Sequence, residues 1–166
     1  FMELINGSYH IGGVPVNDIA ALAGLPVYVY DASIIEQQVQ RLNTAFSSFP
    51  HRILYAAKAL TNINILAFIR KQGVGLDPVS LQEVQLGLEA GFQPSEILFT
   101  PNMVQYEELR EAISLGVQIN IDAISVLDRF GHDYCGTVPV AIRINPHIMA
   151  GGNERISTGH IDSKFG

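Results

Sequence analysis

The chain holds a single cysteine, Cys135, and no tryptophan. One thiol cannot close an internal disulfide, so a scaffold of cross-linked loops is excluded and a reducing cytoplasm is the expected setting. Cys135 and the five histidines (His10, His51, His132, His147 and His160) show neither a CxxC pair nor zinc-site spacing, and no metal centre is expected. Basic residues are scarce as well. Ten Lys and Arg against sixteen Asp and Glu leave a formal charge of −6 with no basic cluster, which argues against nucleic acid or an anionic membrane as a partner. No apolar run of about 18 residues offers a transmembrane span, and no charged and apolar leader marks a secretion signal. Phe1 and Met2 read as preceding the folded part and are set aside. What is abundant is apolar side chain, 48% of 166 residues, enough to bury a real core in a soluble protein that acts on small molecules.

That apolar content is periodic. Short β-rich runs begin at Ile53, Val74, Ile97, Val117 and Val138, with starts 21, 23, 20 and 21 residues apart. Helix signals lie between them. Ser33 with Glu36 forms a capping box ahead of Ile35, Val39, Leu42 and Phe46, which share one helical face, and Ser80 with Glu83 repeats the device ahead of Val84 and Leu88. Asn62 is the predicted N-cap of the helix after Lys58, and Gly73, Gly91, Gly116 and Gly131 are predicted to end helices in the left-handed conformation. Strands alternating with helices of about ten residues predict parallel βαβ units. The fold class expected is α/β, and the compact repeat predicts a (β/α)8 TIM-type barrel.

In such a barrel the active-site residues stand at the C-terminal ends of the strands. Those ends carry Lys58, Asp77, Thr100 with Asn102, Asn120 with Asp122, and Arg143 with Asn145. Each residue taken singly is explained as a turn or cap residue; five coincident placements point to a site. Lys58 is the sharpest, because the run ILYAA drives it to the end of an apolar strand. Partial desolvation there disfavours the ammonium and leaves an amine able to condense with an aldehyde. About five of eight barrel strands are present, and an open parallel edge costs more than a marginally stable domain tolerates. The chain is therefore expected to be part of a longer protein.

Six segments carry a resemblance: PVYVYD (26–31), YAAKA (55–59), GVGLDPVSLQEVQLGLEAGF (73–92), ILFTPN (97–102), GVQINIDAISVLDRFG (116–131) and RINP…ISTGHIDSKFG (143–166). Together they resemble the N-terminal part of the diaminopimelate decarboxylases, in the alanine-racemase-like, fold-type III group of pyridoxal-phosphate enzymes. The resemblance spans nearly the whole chain from about residue 10. YxxKA followed by GxGxD and an S-x-x-E pair marks the group, and ISTG…SKFG favours the diaminopimelate branch.

What the resemblance implies is carried over position by position. Pyridoxal 5'-phosphate is the implied cofactor, held covalently by the amine of Lys58. Asp77 matches the acidic residue after the second barrel strand, and Arg143 an arginine of the polar network beneath the cofactor. Glu83 matches a retained glutamate, although helix capping explains it equally well. Pro78 and Leu81-Gln82 depart from the family's usual Val-Val-Ser-Gly-Gly-Glu while Asp77, Ser80 and Glu83 keep their spacing. The family's ring-stacking histidine, phosphate loop and pyridine-pairing glutamate are expected beyond Gly166, so the 166 residues alone are expected to be inactive. Residues 1–30 are expected to lend a strand, PVYVYD, to a second β-domain, with 31–166 as the partial pyridoxal-phosphate barrel. The segment 146–163 corresponds to a mobile active-site loop, and His147 and His160 receive no role. The implied activity is decarboxylation of meso-2,6-diaminopimelate to L-lysine and CO2, the last step of lysine biosynthesis, by a homodimer with shared sites. The alternatives are an ornithine, arginine or carboxynorspermidine decarboxylase, or a non-catalytic pyridoxal-phosphate-binding homeostasis protein, which would lack the second β-domain.

Overall fold

Two glycine turns organise the start of the chain. Asn6 and Gly7 have φ of 49° and 77°, and Gly12 and Gly13 have 57° and 80°, so both central residues of each turn are left-handed. That is the geometry of a two-residue hairpin loop, where glycine and asparagine are favoured. The strands they join are β1 (Met2–Ile5), β2 (Ser8–Ile11) and the short β3 (Val14–Pro15), an antiparallel sheet with Ile5 opposite Ser8 and Ile11 opposite Val14. Met2, set aside in the sequence, is the first residue of this sheet. The computed structural model describes residues 2–148, 158–160 and 163–166, and contacts divide the chain into two units, Phe1–Ile53 and Leu54–Gly166.

The first unit continues with α1 (Val16–Ala23) and α2 (Ala32–Ala45). The predicted strand PVYVYD forms no ladder. Val27 to Tyr30 are exposed, Tyr28 by 88%, and no described strand pairs with them. Extended chain becomes a sheet strand only when a neighbour takes its N–H and C=O groups, and the sheet of this unit is built from Met2 to Pro15 instead. Helix α2 is capped two residues earlier than predicted. Asp31 Oδ1 accepts from the Ser33 backbone N–H at 2.9 Å and from its hydroxyl at 2.7 Å, and the bond from the Ser33 hydroxyl comes first among the effects that hold the Asp31 carboxyl below the usual range.

The second unit is the α/β repeat. Strands β4 (Leu54–Ala56), β5 (Gly75–Asp77), β6 (Leu98–Phe99), β7 (Gln118–Ile121) and β8 (Val140–Ile142) are separated by α3 (Ile63–Lys71), α4 (Leu81–Glu89), α5 (Tyr106–Ser114) and α6 (Ile124–Tyr134). All the ladders are parallel and join consecutive strands: β4 with β5, β6 with β7, β7 with β8, and a single bridge, Leu76 to Ile97, linking β5 to β6. Asn62 caps α3, its Oδ1 accepting from Asn64 and Ile65 N–H, and Ser80 caps α4. Gly73, Gly91 and Gly116 take positive φ after their helices. Gly131 does not: α6 runs through it to Tyr134 and stops at Cys135 and Gly136, with φ of 49° and 79°. An exposed helical glycine costs about 1 kcal/mol, less than would be lost by abandoning the contacts of Tyr134, which packs against the core and stacks on Phe130.

Side chains alternate across these strands. Leu76, Ile97, Phe99, Ile119 and Ile121 are at most 3% exposed and form the core with Leu66, Val84, Leu109, Ala112 and Phe130 of the helices. Helix α4 lies close because residue 87 is glycine; a Cβ there would run into Leu76 Cδ2. The other face of the sheet carries Ala56 opposite Asp77, Leu98 opposite Gln118, and Asn120 opposite Ala141. Apart from Leu98 and Leu54, the residues it carries are small or polar.

Candidate functional site

Lys58 follows β4 in a single 3-10 turn, Ala57–Ala59. Ala57 is fully buried and anchors the turn, which swings Lys58 off the strand line. The lysine side chain is exposed rather than half-buried as the apolar run predicted. One strand over, Asp77 ends β5 in register with Ala56, two residues before Lys58. Adjacent strands lie about 4.8 Å apart, so the amine-bearing turn and the carboxylate stand on neighbouring strand ends. Asp77 Oδ1 is buried without a hydrogen-bond partner among the described residues.

Glu83 is spent on structure. Its Oε2 accepts from Val79 N–H at 2.7 Å, and its own N–H donates to Ser80 Oγ at 3.2 Å. These bonds fasten the first turn of α4 directly after Asp77, so Glu83 supports the strand end.

Arg143 lies just past β8, its N–H donating to Ile121 C=O at 2.8 Å. It is three strands from Asp77, roughly 14 Å measured along the sheet. Its guanidinium sits 4.0 Å from the ring centroid of Phe165, a cation–π stack that orients a flexible side chain. With Asp122, Asn145 and Gly166 it borders a cleft of about 240 Å³. Between the two, Asn102 Nδ2 donates to Asp122 Oδ2 at 2.6 Å, tying the loop after β6 to the end of β7. Lys164 lines the adjoining cleft. Asn145 Nδ2 donates to His160 C=O and its Oδ1 accepts from His147 N–H, so these histidines enter through main-chain groups. Most of the predicted loop 146–163 lies outside the described residues. Among the described residues no cluster of three metal-ligating side chains occurs, and no helix is long and apolar enough to cross a membrane.

The arrangement suits an aldehyde-bearing, heteroaromatic cofactor. A lysine-bearing turn follows one strand end and a carboxylate with a buried, unpartnered oxygen ends the next, and buried polar atoms without partners are rare enough to call for an explanation. Ala56, Gly75 and Ala141 put small residues on the face that bears Asp77. The sequence pointed to Lys58, Asp77 and Arg143; it passed over the Phe165 stack, which joins residues 22 positions apart and leaves no periodic trace.

Residues 32–166 match the family model for the pyridoxal-dependent decarboxylases, pyridoxal binding domain. The chain is 38% identical over 162 residues to the diaminopimelate decarboxylase of Methanothermobacter thermautotrophicus, covering 96% of this chain and 38% of that protein. It is 37% identical over 167 residues to the diaminopimelate decarboxylase of Staphylococcus aureus, covering 97% and 39%. Among solved structures, diaminopimelate decarboxylase from M. jannaschii in complex with L-lysine superposes with a TM-score of 0.85 at 29% identity, covering 99% of this chain and 40% of that one. The chain thus spans about two fifths of the length of these relatives.

Proposed function

We propose, from the premise that this chain belongs to the pyridoxal-dependent decarboxylases and carries their pyridoxal-binding domain, that it serves a decarboxylase converting meso-2,6-diaminopimelate to L-lysine and CO2. The observation that carries the reading is the placement of the Lys58 turn directly after β4 and of Asp77 at the end of the neighbouring β5, where it is in register with Ala56, inside a segment similar over nearly its full length to diaminopimelate decarboxylases.

Lys58 would hold pyridoxal phosphate covalently through its side-chain amine. Asp77 presents its buried Oδ1 to a donor beside that amine, and α4, fastened by Ser80 and Glu83, fixes the strand end from which it reaches. Arg143, held against Phe165, supplies a fixed positive charge on the same rim. When bound, pyridoxal phosphate supplies the electron sink for loss of the carboxylate. We assign residues 31–166 to part of a (β/α)8 barrel whose remaining strands and phosphate contacts come from a longer protein, and residues 1–30 to a β-rich second domain. A cytoplasmic homodimer with shared sites completes the proposal.

The test uses the full-length protein supplied with pyridoxal phosphate. Release of CO2 and L-lysine from meso-diaminopimelate, with little from ornithine or arginine, is expected, and Lys58→Ala abolishes both turnover and borohydride-fixed cofactor. Faster turnover of ornithine or arginine would replace the substrate assignment; a label fixed on another lysine would remove Lys58 from the site.

A further inference from the structure

Asn120 is the middle of strand β7 and sits between two isoleucines that are 0% and 3% exposed. Ile119 and Ile121 pack into the helix-covered core, so strand alternation turns Asn120 the other way, onto the face that bears Asp77. Its neighbour on β8 is Ala141. On the β6 side the ladder ends with Phe99 opposite Ile119, and Thr100 is the next residue of the chain. Both residues are small, and neither serves the amide. Ala141 has no polar side chain, and the Thr100 hydroxyl is donated to Leu98 C=O at 3.3 Å. Arg143 is engaged with Phe165.

The Asn120 amide is thereby left idle: Oδ1 is buried without a partner, and neither end of the amide makes a hydrogen bond among the described residues. Asn102 also has a buried Oδ1 without a partner, but its Nδ2 is committed to Asp122, whereas the Asn120 Nδ2 is not committed among the described residues. A buried amide oxygen left without a partner costs of the order of 1–3 kcal/mol, a cost that a binding site recovers when its ligand arrives. We propose that Asn120 is a further cofactor-holding residue, whose amide pairs with a polar group on the edge of a flat heteroaromatic ligand lying across β5 to β8. The inference rests on the pyridoxal-phosphate reading and adds to it a residue from the middle of a strand.

The experiment measures, on the full-length protein, pyridoxal phosphate affinity by spectroscopic titration of the cofactor-free form and the melting temperature of the cofactor-free form. For Asn120→Ala the dissociation constant should rise about tenfold, the loss expected for one hydrogen bond in a dry site. The melting temperature without cofactor should stay level or rise, because an unsatisfied amide has been removed. Asn120→Thr, which matches Thr100 in size, repeats both measurements should alanine impair folding. Affinity within twofold of wild type, a cofactor-free form that melts well below wild type, or failure of both variants to fold would each overturn the proposal in favour of a structural asparagine. If the wild-type protein takes up no pyridoxal phosphate, the functional reading falls; if it does and Asn120→Ala binds equally well, only this inference falls.

Discussion

Replacing Gly87 by alanine sets two known effects against each other. In a helix interior alanine is favoured over glycine by about 1 kcal/mol, and a surface helix would simply gain that amount. At position 87 the new methyl group would run into Leu76 Cδ2, with Ile97 Cδ1 a further contact at 3.5 Å. Leu76 and Ile97 are both fully buried, so neither side chain can swing into solvent to make way. Overpacking of this kind costs about 1–3 kcal/mol, which leaves a net loss of about 1 kcal/mol with the two effects combined. The measurement is thermal or denaturant unfolding of the cofactor-free protein, where the expected drop in melting temperature is of the order of 2–4 °C. Shortening the obstacle provides the control: in a Leu76→Val background, Gly87→Ala should be neutral or stabilising, giving a coupling between the two sites in a double-mutant cycle. Because Leu76 precedes Asp77, the single variant should also weaken cofactor binding. A single variant that gains about 1 kcal/mol, or shows no coupling to residue 76, would refute the packing argument.

Asp77→Asn should lower turnover of the full-length enzyme by about a hundredfold, the scale of losing one electrostatic group from a site, while leaving the melting temperature level, since the buried Oδ1 has no partner to lose. Asn62→Ala removes the two bonds that cap α3 and should cost about 1 kcal/mol in denaturant unfolding. Burial first, and then the neighbouring Asp133, push the Tyr106 phenol up to about 12. The folded state therefore favours the protonated phenol, so its contribution is fully present below pH 10 and is lost as the pH rises from 10 through 12; Tyr106→Phe should flatten that part of a stability-versus-pH curve.

The repeat was legible because strand and helix periods alternate cleanly: Leu54, Gly75, Leu98, Gln118 and Val140 begin strands within two residues of the runs read from the sequence. Asn62 and Ser80 were legible as caps because their side chains act on N–H groups two or three residues on. Ser33 misled, since Asp31 holds the same helix start from two residues earlier and uses Ser33 as its donor. PVYVYD is a different case. Its alternating apolar residues meet the requirement for a strand, but pairing is decided by a partner that local pattern does not reveal. The hairpins at Asn6-Gly7 and Gly12-Gly13 carry a readable turn signal as well. Lys58 and Asp77 were legible as strand ends, whereas the exposure of Lys58 follows from a 3-10 turn that no periodicity announces.

The strictly consecutive pairing of the parallel strands bears on the order of assembly. Each ladder closes over one intervening helix, with strand starts only 20 to 23 residues apart, so every new strand finds its partner in the chain just made. Contacts this local in sequence favour fast formation, and synthesis proceeds at about 5–20 residues per second, which delivers a strand and its helix every few seconds at most. The turn bearing Lys58 and the strand end bearing Asp77 are thus expected to meet before β8, which leads to Arg143, joins the sheet. In a pulse-labelling experiment during translation, amides of β4 and β5 should acquire protection ahead of those of β8.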